Sequence, residues 1–338
     1  MTLDVVHARG THRALGRAQG EAFGGAIQST CGFYRRVAAA KGRDFDALGA
    51  AALPYLDAAR TRTPELVDEL VGLVEGAGIT LEAGLALNCM EEVWDLDSCT
   101  TMVHGSFFMH AEQWYAGHSS IGVVVAEPED GPTFVSPTCV GFLPAVGMSA
   151  AGFAQGIDSL TADDERVGVP RVIVSRLALG APGFAAAIAA ACTSGRAGGY
   201  AHVLATPQQC VAVETSATRH AVMEGAGAHT NHYLSEELAG LWGRGSDGSR
   251  TRLARARELL EHAPPSSLED CTRLLSDHGD GAESICHHED GGFDAVGTVF
   301  GMACDLVTGR VLVSDGPPCR GKWEDLAVPT SLAARRVG

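Results

Sequence analysis

The sequence predicts an α+β protein in which a helical N-terminal segment precedes layered strands and helices. Apolar residues recur at helical spacing from about residue 11 to residue 90, and after Cys99 the pattern changes to short β-rich runs separated by turns. In addition, 46% of the 338 residues are apolar and no low-complexity tract interrupts them. A chain of this length and composition can build one large core.

The N-terminal helices have recognisable boundaries. Between residues 66 and 74, apolar side chains recur every three or four residues. Thr63 followed by Pro64 is typical of an N-cap and a first-turn proline, and Gly76 and Gly78 predict a helix end before Thr80 opens another helix. We therefore expect a structural layer of helices ahead of the strands.

The rest of the chain predicts sheet strands covered by helices. Turn residues at Glu129-Asp130-Gly131 and at Thr308-Gly309 indicate two hairpins. Beyond Lys322 little periodicity remains, and we expect this tail to fray. The predicted strands are residues 121–126, 133–136, 202–205, 210–215, 298–306 and 310–314, and the predicted helices are residues 172–179, 184–192 and 252–261.

The net charge and the absence of targeting signals limit the expected binding partners and the expected cellular location. The formal net charge is −16, which disfavours nucleic acid and anionic membranes because phosphate contacts need clustered Lys and Arg. The N-terminus lacks the pattern of a secretory signal, and no apolar run is long enough to span a membrane. We therefore expect a cytoplasmic protein. The 10 cysteines form no CxxC pair, so most should be small buried hydrophobic residues.

The sharpest local signal for chemistry is Cys99, at the junction between the helical segment and the first strands. A thiolate is a strong nucleophile. If the bond between Ser98 and Cys99 is cut, the released α-amine lies beside the sulfur of the same residue. With an ordinary pKa of about 7.7 to 8.0, this amine can accept the thiol proton near neutral pH.

A set of short motifs in a fixed order, from about Gly16 to Cys319, extends this signal to most of the chain. It resembles the acyl-coenzyme A:6-aminopenicillanic acid acyltransferase family of cysteine Ntn (N-terminal nucleophile) hydrolases, which includes carcinine and β-alanyl-amine hydrolases. The motifs are GRAQG at 16–20, ELVGLVEGAG at 69–78, Leu87-Asn88 with Glu91 or Glu92, DSCTT at 97–101, GIDSL at 156–160, GVPR at 168–171, HTNHYLS at 229–235, SICHH at 284–288 and GPPC at 316–319.

The resemblance implies a four-layer αββα Ntn-hydrolase sandwich that cleaves itself between Ser98 and Cys99. Residues 1–98 would become the helical α chain and residues 99–338 the catalytic β chain, which stay associated as one structural domain. Cleavage would begin with an N-to-S acyl shift, in which the Cys99 thiolate attacks the Ser98 carbonyl, and would need strain at that bond.

The resemblance also implies roles for residues around Cys99. Asn231 would donate its side-chain N–H to the tetrahedral oxyanion, with a turn-forming role beside His232 as the structural alternative. His232 would bind substrate or support the site. Independently of the resemblance, the hydroxyls of Thr100 and Thr101 are candidates to orient Cys99, with ordinary strand positions for β-branched residues as the alternative.

Two departures from the family pattern affect the predicted site. Ala111 and Gln113 stand where the family has Asn and Asp, so a carboxylate that would position the α-amine or assist cleavage is missing, and Glu112 is the candidate substitute. Asp158 stands where the family usually has Asn. If Asp158 lines the pocket, its charge favours an amine or guanidinium substrate, whereas the alternative is a cap of the next turn with Ser159.

One segment near residue 286 has side chains that could bind a metal ion. Cys286, His287 and His288, with His278 and Asp280, have suitable side chains for zinc. Their spacing fits no known zinc pattern, and adjacent histidines in a strand point to opposite faces. The sequence therefore predicts no metal and no cofactor.

The sequence thus favours a self-processing cysteine amidohydrolase that cleaves a linear amide of a small, amine-containing metabolite through an acyl-enzyme on Cys99. One alternative is transfer of an acyl group from a thioester or amide to an amine, as in natural-product biosynthesis. A second is an uncleaved, inactive relative that binds a small molecule, motivated by Ala111 and Gln113. A small-molecule amide or acyl thioester is the expected partner. The sequence does not determine whether the protein forms a homo-oligomer.

Overall fold

Two β-sheets lie face to face at the centre of the protein, and helices cover both outer faces. The computed structural model describes residues 3–93, 99–115, 117, 120–241, 247–279, 281–288 and 291–328. Val123 and Val203 from one sheet pack with Phe108 and Met302 from the other in a shared apolar cluster. The predicted α+β class and the αββα layers are confirmed.

Among the described residues, the larger sheet has eight strands in the order β1-β4-β5-β6-β7-β8-β9-β10. Strand β1, which the sequence analysis missed, runs parallel to β4, and the other neighbours are antiparallel. Its strands are β1 (Asp4–Gly10), β4 (Ile121–Pro128), β5 (Phe134–Cys139), β6 (Gly147–Ser149), β7 (Phe153–Leu160), β8 (Gly199–Ala205), β9 (Cys210–Thr215) and β10 (His220–Glu224).

Within the part of the chain that the structure describes, the smaller sheet has six antiparallel strands in the order β11-β2-β3-β12-β13-β14 and carries Cys99 on β2. Its strands are β2 (Cys99–His104), β3 (Phe107–Tyr115), β11 (Ala228–His229), β12 (Val296–Asp305), β13 (Arg310–Ser314) and β14 (Trp323–Ala327).

The helices form one layer on each side. Helices α1, α7 and α8 pack on the eight-stranded sheet, α4 packs on α1, and α9 and α10 pack on the six-stranded sheet. Among the described residues, no helix is both long and apolar enough to cross a membrane. The helices are α1 (His12–Ala40), α2 (Phe45–Ala51), α3 (Leu53–Arg62), α4 (Pro64–Ala77), α5 (Leu81–Asn88), α6 (Met90–Val93), α7 (Arg171–Leu179), α8 (Phe184–Ala191), α9 (Asp247–His262) and α10 (Leu268–Leu275).

Helices α1 and α4 approach each other through four glycines, which we call the glycine seam: Gly16, Gly20, Gly72 and Gly76. A Cβ on Gly16 would lie 1.8 Å from the Glu69 carbonyl oxygen, and Cβ atoms on the other three would lie 2.2 to 2.3 Å from backbone oxygens of the facing helix. A side chain at any of these positions would separate the two backbones. This contact explains why the GRAQG and ELVGLVEGAG motifs are rich in glycine.

Most predicted elements are confirmed, and two predictions need correction. The hairpin pairings β4–β5 and β12–β13 occur as predicted. Thr63 precedes Pro64 at the start of α4 but makes no side-chain cap, because its hydroxyl donates to the carbonyl of Ala59 at 3.1 Å. The tail does not fray immediately after Lys322, because β14 pairs with β13. The predicted cut falls at Ser98, outside the described residues, so the division into two chains stays a prediction.

Candidate active site around Cys99

A tight hairpin places Cys99, the first residue of β2, directly opposite Glu112 on β3. The turn contains Gly105 with φ of +56°, a left-handed conformation that glycine adopts without steric cost. The same register places Thr101 opposite His110. Because alternate residues of a strand point to one face, the four side chains form a row on one side of the sheet.

The four side chains of this row are in contact. The Cys99 thiol donates to Glu112 Oε1 at 3.5 Å, Glu112 Oε2 lies 3.0 Å from His110 Nε2, and His110 Nδ1 lies 2.9 Å from the Thr101 hydroxyl. Burial, followed by the negative charges of Glu112 and Asp158, raises the pKa of the Cys99 thiol well above its ordinary value. The thiol therefore needs a proton acceptor before it can attack a carbonyl.

Strand β7 covers this row at a glycine. A Cβ on Gly156 would lie 2.8 Å from Thr101 Oγ1 and 2.9 Å from His110 Nδ1. Only glycine lets the two sheets approach this closely here. Gly156 is the first residue of the GIDSL motif, and this close approach explains why the motif begins with glycine.

The backbone nitrogen of Cys99 is held by Asn231. Cys99 N donates to Asn231 Oδ1 at 2.8 Å, and Arg252 Nη2 donates to the same oxygen at 2.8 Å. Asn231 Nδ2 donates to the carbonyl of Ser159 at 3.2 Å. The oxygen of the amide therefore faces the Cys99 nitrogen, and the predicted oxyanion role would fall to the second Nδ2 hydrogen.

Gln113 does not face Cys99. Its Nε2 donates to the backbone oxygens of Ile285 at 3.1 Å and Ser284 at 3.4 Å, on the opposite face of β3. Gln113 therefore does not deprive Cys99 of a neighbouring carboxylate. The carboxylate beside the Cys99 thiol is that of Glu112. Ala111 is fully buried in the apolar cluster beneath α9 and α10.

Cys99 and Glu112 line a cavity of about 720 Å³, a volume that includes its opening to solvent. Most of the wall is apolar and includes Phe142, Ile157 and Phe300. Such a wall favours an apolar group of a ligand, with the few polar groups fixing its orientation.

Asp158 lies in β7, so it does not cap a turn, and it is absent from the cavity wall. Asp158 Oδ2 lies 3.6 Å from Nδ1 of His229, whose Nε2 lies 2.9 Å from Glu214 Oε1. Burial by itself lowers the pKa of His229, but the two carboxylates outweigh it and raise the pKa to about 9. The Asp158 carboxylate therefore faces a buried imidazole rather than the cavity, and an amine substrate does not follow from its charge.

His232 is buried away from the cavity wall, with Nδ1 2.7 Å from the Ser249 hydroxyl. Burial is the main cause that lowers its pKa to about 4, so the imidazole is neutral at neutral pH. This geometry is compatible with the supporting role that the sequence analysis proposed.

A comparison with protein-family models shows which family this chain belongs to. The model of the acyl-coenzyme A:6-aminopenicillanic acid acyl-transferase family matches residues 96–316, more than half of the chain. The chain belongs to this family. The predicted resemblance is confirmed, and membership places the chain among enzymes that hydrolyse amides or transfer acyl groups.

Solved structures give two further similarities. Penicillin V acylase from Agrobacterium tumefaciens is 12% identical, with 71% of this chain and 89% of that chain covered and a TM-score of 0.41. A variant of conjugated bile acid hydrolase from Clostridium perfringens is 9% identical, with 69% and 98% covered and a TM-score of 0.41. Among curated proteins, no sequence matches this chain significantly.

The match to the acyl-transferase family spans Cys99, Glu112, Asn231 and two residues that the sequence analysis missed, His110 and Arg252. His110 had a usable signal, because a hairpin turning at Gly105-Ser106 brings it opposite Thr101. Arg252 had none, since it appeared only as one position of a predicted helix and reaches the site through the tertiary fold.

Two groups of metal-ligating side chains occur among the described residues of this family member. One is Cys99, His110 and Glu112 in the row described above. The other brings together His278, Cys286, His288 and Cys319, each with a ligand atom within 4.8 Å of the others. His287 is not part of it, and Asp280 lies outside the described residues.

Proposed function

We propose that the protein cleaves itself between Ser98 and Cys99 and then hydrolyses a linear amide of a small metabolite through an acyl-enzyme on Cys99. The observation that carries the proposal is the position of Cys99 at the start of β2, with its nitrogen bonded to Asn231, its thiol beside Glu112 and a cavity in front of it. One residue then offers both a nucleophile and, once cut, an amine base.

Self-cleavage would use Glu112 as the base. The Cys99 thiol gives its proton to Glu112, and the sulfur attacks the Ser98 carbonyl carbon. The C–N bond to Cys99 breaks, its nitrogen takes the proton and a thioester forms between Ser98 and the sulfur. Water hydrolyses this thioester, leaving a carboxylate on Ser98 and a free α-amine on Cys99. Glu112 is suited to the first step because its oxygen already accepts from the thiol.

Turnover would use the new α-amine as the base. The amine takes the thiol proton, and the sulfur attacks the substrate amide carbonyl. The tetrahedral intermediate collapses when the leaving amine takes that proton, which leaves a thioester on Cys99. Water, deprotonated by the same α-amine, then attacks the thioester carbonyl. The C–S bond breaks, the carboxylic acid leaves, and the Cys99 sulfur takes the proton back from the amine. Asn231 would hold the α-amine in place through its side-chain oxygen.

The cavity supports a substrate with an apolar acyl group. Phe142, Ile157 and Phe300 provide a wall for such a group beside Cys99. Glu91 also lines the cavity, and its charge contributes to the raised pKa of Cys99. A cationic amine in the leaving part of the substrate fits this negative charge.

The first experiment is denaturing intact-mass spectrometry of the wild type beside Cys99→Ala. Two polypeptides in the wild type, the larger beginning at Cys99, and one uncut chain in the variant support the proposal. Cys304→Ala is the matched control, because Cys304 is also buried in the six-stranded sheet but lies away from the cavity wall, and it should still be cut. An uncut wild type contradicts self-cleavage and favours a binding protein that does not turn over.

Acyl transfer to an amine is the second candidate, and the description of the family favours it. Transfer requires that the acceptor amine reach the thioester before water does. The partition is measured by supplying a cleavable amide or acyl thioester together with a series of primary amines. Free acid that forms at an unchanged rate favours hydrolysis, whereas a new amide that replaces the acid favours transfer.

A further inference from the structure

Four metal-ligating side chains converge away from Cys99, from segments far apart in the sequence. His278, Cys286 and His288 belong to the connection between α10 and β12, and Cys319 belongs to the turn between β13 and β14. We propose that these four residues form a structural Zn²⁺ site that fastens the two segments together.

The distances between the ligand atoms approach those of a tetrahedral site. His288 Nε2 lies 3.1 Å from His278 Nε2, 3.0 Å from Cys319 Sγ and 3.9 Å from Cys286 Sγ. A tetrahedron with Zn–N bonds of about 2.0 to 2.1 Å and Zn–S bonds of about 2.3 Å has edges of about 3.3 to 3.8 Å. Shifts of a few tenths of an ångström bring these three pairs to that geometry.

The donor set selects the metal. Two thiolates and two imidazoles form the Cys₂His₂ set of closed zinc sites, and the absence of a carboxylate among these four ligands disfavours Mg²⁺ and Ca²⁺. Binding releases one proton from each thiol to solvent, so that two thiolates balance the two charges of the ion. With four protein ligands, no position is left for water, which indicates a structural role.

The spacing argument of the sequence analysis considered only one segment of the chain. Cys319 is 31 residues from His288, and the fold brings its sulfur to the site. His288 belongs to the cluster and His287 does not, as expected for adjacent histidines, although this segment lies in a loop and not in a strand.

The zinc site would stiffen the support of the candidate active site. The backbone oxygens of Ser284 and Ile285, next to Cys286, accept the two hydrogen bonds of Gln113. Gln113 follows Glu112 on β3, so a fixed loop holds the strand that carries the carboxylate beside Cys99. The four ligands act on the active site only through this support.

The row at Cys99 is a competing location for a metal, since Cys99, His110 and Glu112 also lie within 4.8 Å of one another. Both ring nitrogens of His110 already have partners there, Thr101 and Glu112. A metal would have to displace one of these bonds, so we assign the zinc to the other cluster. Metal binding by Cys99→Ala and by Cys319→Ser distinguishes the two locations.

The test measures metal content and spectroscopy on the full chain, purified without a histidine tag and incubated with zinc. We expect about one zinc per chain in the wild type and in Cys99→Ala, and a loss of at least about tenfold in affinity in Cys319→Ser and in His278→Ala. Cys192→Ser is the matched control, a half-buried cysteine away from the cluster that should keep the metal. His278 and Cys319 are both exposed, so their variants should fold.

Cobalt replacement gives a readout independent of enzymatic activity. Co²⁺ should show tetrahedral and thiolate-to-metal absorption bands in the wild type and Cys99→Ala, but not in Cys319→Ser. A chelator should lower the melting temperature of the wild type and leave that of Cys319→Ser unchanged. No metal uptake, metal that is lost in Cys99→Ala, or a disulfide between Cys286 and Cys319 in freshly purified reduced protein would overturn the proposal.

Discussion

The carboxylate of Glu112 lies 3.5 Å from the Cys99 sulfur because antiparallel pairing places the two residues opposite each other at the end of one hairpin. Residue 112 thereby supplies the negative group that seemed to be missing when residue 113 was taken as the relevant position. On the same face of the sheet, His110 contacts the second carboxylate oxygen of Glu112, and the Thr101 hydroxyl contacts the other ring nitrogen of His110. These contacts hold the carboxylate in place.

The Glu112→Gln variant should cleave itself more slowly than the wild type. The amide keeps the size of the side chain but accepts a proton poorly, and losing a general base typically costs about 10² to 10⁴ in rate. The measurement is the rate at which newly synthesised full-length chain converts to two pieces. Because His110 loses its charged partner, the variant should also be checked for an unchanged fold by circular dichroism.

Glu324→Gln is the control for this prediction, since Glu324 lies on β14 of the same sheet and is exposed. It should cleave at the wild-type rate. If Glu112→Gln also cleaves at that rate, the base is another group, and the contact between Glu112 and Cys99 has no role in processing.

The Arg252→Gln variant should shift the pH dependence of the cleaved enzyme. Arg252 and the Cys99 nitrogen donate to the same oxygen of Asn231, so the guanidinium charge lies close to the α-amine. A nearby positive charge disfavours the protonated amine and lowers its pKa. Removing the charge should move the acid limb of kcat/KM to higher pH, measured over the range of about pH 5 to 9.

Arg257→Gln is the matched control, because Arg257 lies on the same helix and is exposed. It should leave the acid limb in place. An equal shift in both variants would mean that the long-range charge of α9, rather than the contact at Asn231, sets the pKa of the amine.

The sequence predicted the layers and several hairpins because local periodicity and turn residues control them. Some residues near Cys99 were predicted from the sequence and others were not, for a physical reason. Glu112 and Thr101 follow from strand pairing near one turn, whereas Arg252 and the zinc cluster depend on contacts between distant segments. The contact of Asp158 with His229 could not be predicted, because His229 lies 71 residues later and no local pattern connects the two.

Replacing Gly20 with Ala should destabilise the protein because the glycine seam has no room for a Cβ. The added carbon would lie 2.3 Å from the Leu73 carbonyl oxygen, so helices α1 and α4 must move apart. We expect a loss of about 1 to 3 kcal/mol in the free energy of unfolding, measured by denaturant titration.

Gly25→Ala on the same helix is the matched control. A Cβ at Gly25 meets nothing within 4 Å, so the variant should gain helix stability of about 0.5 to 1 kcal/mol. Equal effects of the two substitutions would show that helix propensity, and not close approach at the seam, determines stability here.

The buried pair of Asp158 and His229 should make stability depend on pH. His229 has a pKa of about 9 in the folded protein and an ordinary value of about 6.5 when unfolded. Its contribution is therefore fully present below about pH 6.5 and is lost as the pH rises through about 9. Burial keeps several thiols protonated in the folded protein, whereas the same thiols ionise at alkaline pH in the unfolded chain, so the wild type alone does not isolate the effect of His229.

The comparison with Asp158→Asn isolates it, because the thiols are the same in both proteins. The amide keeps the shape but removes one of the two carboxylates that hold the imidazolium. The wild type should be more stable relative to the variant at pH 6 than at pH 9.5, since at alkaline pH a neutral His229 leaves the buried Asp158 charge uncompensated. A difference in unfolding free energy that is the same at both pH values would mean that Asp158 does not stabilise the protonated form of His229 over this range.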